Sequence, residues 1–465
     1  MHIVVPNAPA SFRAPEDTPM TVTARPHDSH VSQDKVAKFG GTSVATAAQL
    51  LKVKAIIDAD PKRRFIVPSA PGKADAKDTK VTDLLYLAHQ LAAKGQPIAP
   101  VWDKITERFL SIVRDLKLTL DLKPVLDQAK ATIEGGATAD YAASRGEAIH
   151  GLIVAALLNA EYVDAAEVIT FDRAGRLDPA TFAAIKKRCA GPGRYCIPGF
   201  YGRGADGQVK TFSRGGSDVT GSVVANAVDA AIYENWTDVS GVLMTDPRIV
   251  AEAKPIAEIT YGELRELSYM GASVLHEEAV FPVRGKAIPI NIRNTNRPDD
   301  AGTMIVDRRD PGSQVVVGIA GTKGFTVFGI EKALMNGEVG FLRRVLDAFE
   351  HHGIAVEHVP TGIDTMSVVV ADKQLGTRAD ALVEDIRAAV QPDSVSVTPG
   401  MALIATVGQG MSNATGTAGR LFASLARARV NVRMIDQGSS EQNIIVGVEE
   451  SDLAGAIRAI YNEFA

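Results

Sequence analysis

Four short segments hold residue types suited to phosphate and carboxylate groups. The first is Lys38-Phe39-Gly40-Gly41-Thr42-Ser43, where an apolar stretch from Val36 runs into a glycine pair. Glycines let a backbone come close to a phosphate, a following helix start offers free N–H groups, and Lys38 adds a full positive charge. The lysine precedes the glycines, so the spacing is not that of a G-x-x-x-x-G-K-[ST] loop. A glycine pair after a strand is also an ordinary tight connection. The second segment, Phe212-Ser213-Arg214-Gly215-Gly216-Ser217-Asp218, opens a helix predicted over 219–230. Arg214 can grip a carboxylate in bidentate fashion, while Asp218 in a first turn equally suits the helix dipole. The third, Trp236-Thr237-Asp238-Val239-Ser240-Gly241, continues to Thr245-Asp246-Pro247-Arg248 and packs polar and charged groups into a loop. The fourth is Ser144-Arg145-Gly146-Glu147, ahead of a helical run over 148–158. It reads equally well as a helix start, with Ser144 as N-cap and Glu147 at N3.

Such groups act together only if a scaffold brings them to one place. Apolar strand patterns are expected at 36–39, 65–67, 167–170, 194–198 and 231–235, with helices over 47–57 and 82–93 between them. Strands alternating with helices imply an α/β fold, a mostly parallel sheet sandwiched by helices. Ligands in these sheets gather at the carboxyl ends of strands, where the glycine-rich turns lie.

The chain has 465 residues, enough for about three domains at ~150 each. Lys+Arg 50 against Asp+Glu 55 gives a net charge of −5, which argues against a nucleic-acid surface. No uncharged apolar run approaches the ~20 residues of a membrane span. The two cysteines, Cys189 and Cys196, cannot form a disulfide framework and fit a reducing, cytoplasmic setting. Residues 1–34 scatter five prolines among acidic and hydroxyl residues and are expected to form a disordered tail without targeting logic, with Met20 an alternative start.

The last third contains a duplication. Met335/Met411, Gly340/Gly416, Val345/Leu421, Phe349/Leu425, Ile354/Val430 and Gly362/Gly438 all share the offset 411 − 335 = 76. Each copy reads as a glycine-containing loop, an amphipathic helix, a strand at 354–356 or 430–432, and a further strand at 367–370 or 443–448. The first helix is expected to stop at Gly353. Two small α+β modules follow from this pattern.

Together, KFGGTS, SRGE, SRGGSD and NWTDVSGVLMTDPR, with the paired modules, resemble the aspartate kinase family of the amino acid kinase superfamily. The paired modules look like ACT (βαββαβ) domains. The resemblance covers nearly everything from Lys35 onward. It implies a tail at 1–34, a catalytic region at 35–312 and tandem ACT modules at 313–465. The first copy would span about 324–395 and the second about 400–465, with a strand from 314–322. The implied reaction moves the γ-phosphoryl of ATP, with Mg2+ held mainly by its phosphates, to the β-carboxylate of aspartate. Lys38 and Asp218 would be catalytic. Ser69, Thr82, Glu147, Phe200, Arg214 and Ser217 would bind the amino acid, with Arg214 on its α-carboxylate and Glu147 on its ammonium. The nucleotide would take Lys38, Gly40, Gly41, Ser43, Thr237, Asp238, Asp246 and Arg248. No metal cage made of protein groups alone is expected.

Two positions depart from the family. Leu243 stands where many relatives have tyrosine, and Ser273 where many have lysine. The segment 72–80 is also longer than in common members. Feedback inhibition by lysine or threonine is implied, with Met335, Gly340 and Asp364 at the effector site and a homo-oligomer formed through the ACT modules. The alternatives are a sister kinase acting on another acid and an inactive amino-acid sensor. The Arg214/Glu147 pair favours an amino-acid substrate, and Lys38 with Asp218 argues against the sensor.

Overall fold

The computed structural model describes residues 33–465 except 214, 273, 274, 276, 311 and 313. The tail expectation up to residue 32, and what was expected of Arg214 and Ser273, therefore lie outside the described residues.

The first part alternates strands and helices. Strand β1 (Lys35–Phe39) leads through a 3-10 turn to α1 (Ala47–Asp58) and β2 (Arg63–Pro68). Helices α2 (Val81–Ala93), α3 (Ala99–Asp115), α4 (Lys123–Glu134) and α5 (Ala139–Leu158) precede β3 (Glu161–Tyr162), α6 (Ala165–Val168), α7 (Ala180–Arg188) and β4 (Tyr195–Cys196). A hairpin of β5 (Tyr201–Arg203) and β6 (Val209–Thr211) then leads to α8 (Gly216–Ala227) and β7 (Ile232–Thr237). Strand β8 (Glu258–Thr260), α9 (Tyr261–Tyr269), α10 (Phe281–Arg284), β9 (Ile290–Asn294) and β10 (Thr303–Val306) complete an eight-stranded sheet ordered β3-β4-β2-β1-β7-β9-β10-β8. All its pairings are parallel except β9–β10.

Alternation along the central strands sends side chains to two cores. Ala37, Phe39, Ile66 and Trp236 pack with α1 to α5 residues such as Leu50, Leu85, Ile105 and Ile149. Val36, Phe65, Val67 and Tyr233 face the other way, onto Ile185 of α7 and Val219 and Val223 of α8. Each buried Val, Leu, Ile or Phe among them contributes about 1.5–3 kcal/mol. Lys38 occupies a slot in this otherwise apolar alternation, and β1 buries it.

Two expected elements fall differently. Residues 167–170 are not a strand: Asp164 caps α6 by accepting from the Ala166 amide, and the helix runs through Val168. Ser144 is not an N-cap either. Thr138 caps α5, accepting from the Tyr141 amide, and carries the helix straight through Ser144-Arg145-Gly146-Glu147.

The last part is a five-stranded antiparallel sheet ordered β12-β11-β13-β15-β14. Its long strands β11 (Gly318–Glu331) and β13 (Ser394–Val407) run through both modules. The first module adds α11 (Phe341–His351), β12 (Thr365–Ala371), α12 (Asp372–Leu375) and α13 (Ala379–Val390). The second adds α14 (Thr417–Arg427), β14 (Met434–Asp436), β15 (Asn443–Glu449) and α15 (Leu453–Phe464). Helices α11 and α14 keep the offset of 417 − 341 = 76 at their starts, and both follow left-handed glycines, Gly340 at φ 80° and Gly416 at φ 89°. The strands expected at 354–356 and 430–432 start later. In the second copy pairing begins at Met434, and in the first only isolated bridges at His358 and Thr361 form.

Candidate active site

The parallel register puts Phe39 level with both Pro68 and Trp236. Gly40, Ser69 and Thr237 therefore leave the sheet side by side, at the carboxyl ends of β1, β2 and β7. Backbone bonds tie these loops together. The Gly40 amide donates to Trp236 O at 2.9 Å, Ser69 to Phe39 O at 3.1 Å, and Gly72 to Gly41 O at 2.9 Å. The approach of the last pair requires glycine, because a Cβ on Gly72 would lie 2.6 Å from the Gly41 carbonyl carbon.

Lys38 is only 7% exposed, and its Nζ lies 2.5 Å from Asp218 Oδ1. Asn235 Nδ2 donates to the same oxygen at 2.8 Å, and the Tyr233 hydroxyl donates to the Asp218 carbonyl at 3.0 Å. Burial first, and Asp218 second, push the Tyr233 phenol well above its usual range, so it stays a neutral donor. Asp218 sits in the first turn of α8, which starts from Gly215 in left-handed backbone at φ 56°. Beside it, a Cβ on Gly216 would meet the Phe200 ring at 2.6 Å, and a Cβ on Gly199 would meet Ser217 Oγ at 2.6 Å. Phe200 itself holds φ 81°, with its amide on Thr220 Oγ1 at 3.1 Å. Phe200, Ser217, Lys38 and Asp218 thus share one wall.

The opposite wall is α5. Glu147 is 5% exposed and its Oε2 has no hydrogen-bond partner. Burial pushes its carboxyl up to about 8, against the opposing pull of the Ala70 amide hydrogen bond. Gly146 lets the helix pack onto the loop after β2: a Cβ there would lie 2.9 Å from Ala70 Cβ and 3.8 Å from Thr82 Oγ1. Ser69, Thr82 and Glu147 therefore meet around Ala70. One turn further on, His150 is fully buried with Nδ1 2.7 Å from the Ser69 carbonyl.

On the third side, Thr237 Oγ1 donates to Asp238 Oδ1 at 3.2 Å. Arg248 pairs with Asp246 at 2.6 Å and holds that carboxyl below its usual range. Leu243 lines a cavity of about 490 Å3 that also touches Asp246, Arg248, Met270 and, from the last part of the chain, Ile319 and Ile457. Ser43 is carried beneath the glycine loop, where its Oγ accepts from Thr295 Oγ1 at 2.8 Å.

Sequence reasoning gave no role to Asn235, Gly72 or His150. Asn235 opens the NWTDVSGVLMTDPR segment, and its signal is the register, which sets it directly beside Lys38. Gly72 and His150 act across contacts that no local pattern reveals.

At the first module, Met335, Asn336, Glu338, Gly340, Phe341 and Thr361 line a cavity of about 300 Å3. Asp364 is exposed, and its Oδ1 accepts from the Leu334 amide at 2.7 Å, steadying the loop that enters this cavity.

Residues 35–294 match the model of the amino acid kinase family, and residues 404–464 match that of an ACT domain. Aspartokinase 3 of Bacillus subtilis is 40% identical over 92% of this chain and 98% of its own length. The chain belongs to the aspartokinases, within the amino acid kinase family. The crystal structure of Clostridium acetobutylicum aspartate kinase is 50% identical, with a TM-score of 0.87 over 93% of this chain and all of that one. Escherichia coli aspartokinase III, solved with aspartate and ADP in an R-state, is 25% identical with a TM-score of 0.72, over 92% of this chain and 99% of its own. The same E. coli enzyme was also solved with lysine and aspartate in a T-state. As an aspartokinase, this enzyme has the α/β catalytic fold and ACT architecture of its relatives. No helix among the described residues is long and apolar enough to cross a membrane.

Proposed function

We propose that the enzyme transfers the γ-phosphoryl of ATP to the β-carboxylate of L-aspartate, giving 4-phospho-L-aspartate and ADP. Residues 35–312 would serve as the catalytic region and 313–465 as a regulatory pair. The carrying observation is the pairing of buried Lys38 with half-buried Asp218, 2.5 Å apart beside the glycine loop. The nucleophile is ionised at neutral pH and needs no strong base. The barrier is an anion meeting a polyanion, so fixed positive charge and alignment do the catalysis.

Lys38 would turn from Asp218 toward the transferring phosphoryl group, with the Gly40 and Gly41 backbone alongside. The Cβ position of Gly40 lies 3.6 Å from Lys38 Nζ, which puts the glycine loop directly against the ammonium. Glu147, with Oε2 unpartnered, would receive the aspartate ammonium, and Ser69, Thr82, Phe200 and Ser217 would shape the pocket. Arg214 would take the α-carboxylate, and Thr237, Asp238, Asp246 and Arg248 would hold the nucleotide side. Among the described residues no group of three or more His, Cys, Asp or Glu converges on a metal position. The ion would be held mainly by the ATP phosphates, with Asp218 orienting it and the phosphates at the transfer point. Mg2+ would supply charge neutralisation on the phosphates.

Regulation by lysine or threonine at Met335, Gly340 and Asp364 completes the reading. Around that cavity Leu334, Val339, Leu342 and Ile363 are exposed, Val339 by 95%, which supports assembly of copies through this face. Two buried free cysteines support a reducing, cytoplasmic setting. Trapping acyl phosphate with hydroxylamine, with ATP and either aspartate or glutamate, tests the reaction. Product from aspartate is expected, and product from glutamate alone would refute it.

A further inference from the structure

We propose that His150 is a positioning residue of the amino-acid site, fixing the Ser69–Ala70 peptide group on which Glu147 is set. This rests on the assignment of Glu147 to the substrate ammonium.

The geometry is specific. Glu147 and His150 lie three residues apart on α5 and so face the same way. His150 Nδ1 is 2.7 Å from the Ser69 carbonyl, and α5 packs onto Ala70 at Gly146, where the Ala70 amide favours the charged form of the Glu147 carboxylate. The Ser69 carbonyl and the Ala70 amide are the two ends of one peptide plane. One helix therefore holds the oxygen of this peptide group with its imidazole and sets its carboxylate where the N–H at the other end acts on it. If the oxygen were released, the plane could rotate and withdraw the amide that orients Glu147.

The ring's protonation state follows from the partner. A carbonyl only accepts, so Nδ1 carries the proton and donates. Nε2 is then a bare acceptor, buried and without any partner. Burial pushes the imidazole down to about 4, so it stays neutral through the working range and acts as a fixed donor rather than a proton carrier. An unsatisfied buried nitrogen is costly. A leucine would fill the space without that penalty, so what the histidine adds here is the bond to Ser69. The other end of the segment is also anchored, by the Ser69 amide on Phe39 O and the Gly72 amide on Gly41 O. The His150 bond thus links the α5 wall to the glycine loop.

Steady-state KM values for aspartate and for ATP in three variants test this. His150→Asn keeps an N–H donor at the Nδ1 position and should leave the aspartate KM within about twofold of wild type. His150→Leu removes the donor and His150→Gln moves it one bond further out. Each should raise the aspartate KM by about tenfold while the ATP KM changes by less than about twofold, the scale of one lost hydrogen bond. An unchanged aspartate KM in His150→Leu, an equal rise in both KM values, or a His150→Asn variant as impaired as His150→Leu would overturn the role. Should His150→Leu not fold, the comparison of Asn with Gln decides alone. A wild-type enzyme that made no aspartyl phosphate would overturn the reaction itself, whereas normal turnover with a flat aspartate KM would overturn only the part given to His150.

Discussion

Lys38 and Asp218 hold each other in place before substrate arrives, and that arrangement separates binding from turnover. Asp218→Asn keeps the shape but removes the charge that aims the ammonium. Lys38→Ala removes the ammonium itself. Either change should lower kcat by about 10²–10³, the range for one preorganised electrostatic group, with nucleotide affinity shifting by less than about tenfold. Acyl-phosphate trapping and nucleotide titration calorimetry would read the two quantities separately. Glu147 gives a pH prediction. Its carboxyl, at 4.5 when unperturbed, is pushed up to about 8 by burial, so the free enzyme holds a proton where, on the proposed assignment, the substrate ammonium would sit. Aspartate binding should therefore release about one proton per site near pH 7, and apparent affinity should climb by up to about tenfold per unit toward pH 8 and then level off. Calorimetry in buffers of different ionisation enthalpy would count the proton, and Glu147→Gln should abolish the release. The stability sign follows from the same proton. Between 4.5 and about 8 the folded state holds a proton that the unfolded state lacks, so the unliganded enzyme should lose stability as pH rises through that window.

At the level of elements, the strand ends were legible in sequence because apolar strands running into glycine or proline are a local pattern. Lys38, Ser69 and Thr237 could be placed on that basis, and Asp218 from the glycine pair that opens α8. Arrangements set by distant partners were not legible. Ser144-x-x-Glu147 has the spacing of a capping box, yet Thr138 starts the helix earlier, and the Ser144 hydroxyl instead donates to the Tyr141 carbonyl at 2.7 Å inside the helix. The β-branched run 168–170 suggested a strand, but the Asp164 cap wins locally. Gly72 shows the same limit, since only the folded structure reveals that it presses on Gly41 backbone. Gly72→Ala would place a Cβ 2.6 Å from the Gly41 carbonyl carbon and 2.8 Å from its oxygen. Backbone cannot yield as a flexible side chain can, so the two loops should be pushed apart at a cost of about 1–3 kcal/mol. The denaturation midpoint would register that loss. The aspartate and ATP KM values should both rise, because this contact lies between the two halves of the site.

Across the whole molecule, the duplication could be read by subtraction, but the continuity of β11 could not. The family resemblance divides this stretch into 314–322 and a copy starting near 324. In the fold, Gly324 at φ 89° marks an irregularity within one 14-residue strand. Among the contacts that join the catalytic and regulatory parts is one buried carboxylate, Glu263 on α9. It is 0% exposed and pairs with the Arg309 side chain, 3% exposed, at 2.7 Å. It also accepts from the Thr260 amide at 2.9 Å and from the Gln409 amide, in the second module, at 2.7 Å. Burial alone would raise its pKa, but Arg309 and the two amides outweigh that and hold it below the usual carboxylate range. The neighbouring Glu266 accepts from Asn443 at 2.6 Å, so α9 is fastened to the second module twice, while Met270, just past its end, lines the cavity beside Leu243. A shift of the second module therefore has a stiff path to the cavity lined by Leu243, Asp246 and Arg248, the proposed nucleotide side. Glu263→Gln leaves Arg309 buried and uncompensated, a loss of about 3 kcal/mol. Basal turnover should persist while inhibition by the effector amino acid weakens and the single thermal transition splits in two. Because the folded pKa is depressed, the joint's stabilisation is present above the unfolded value of 4.5 and is lost as pH falls through the folded one. Wild type should then show the split only in acid and Glu263→Gln already at neutral pH, and calorimetric scans across pH that showed one transition for both would remove Glu263 from the path.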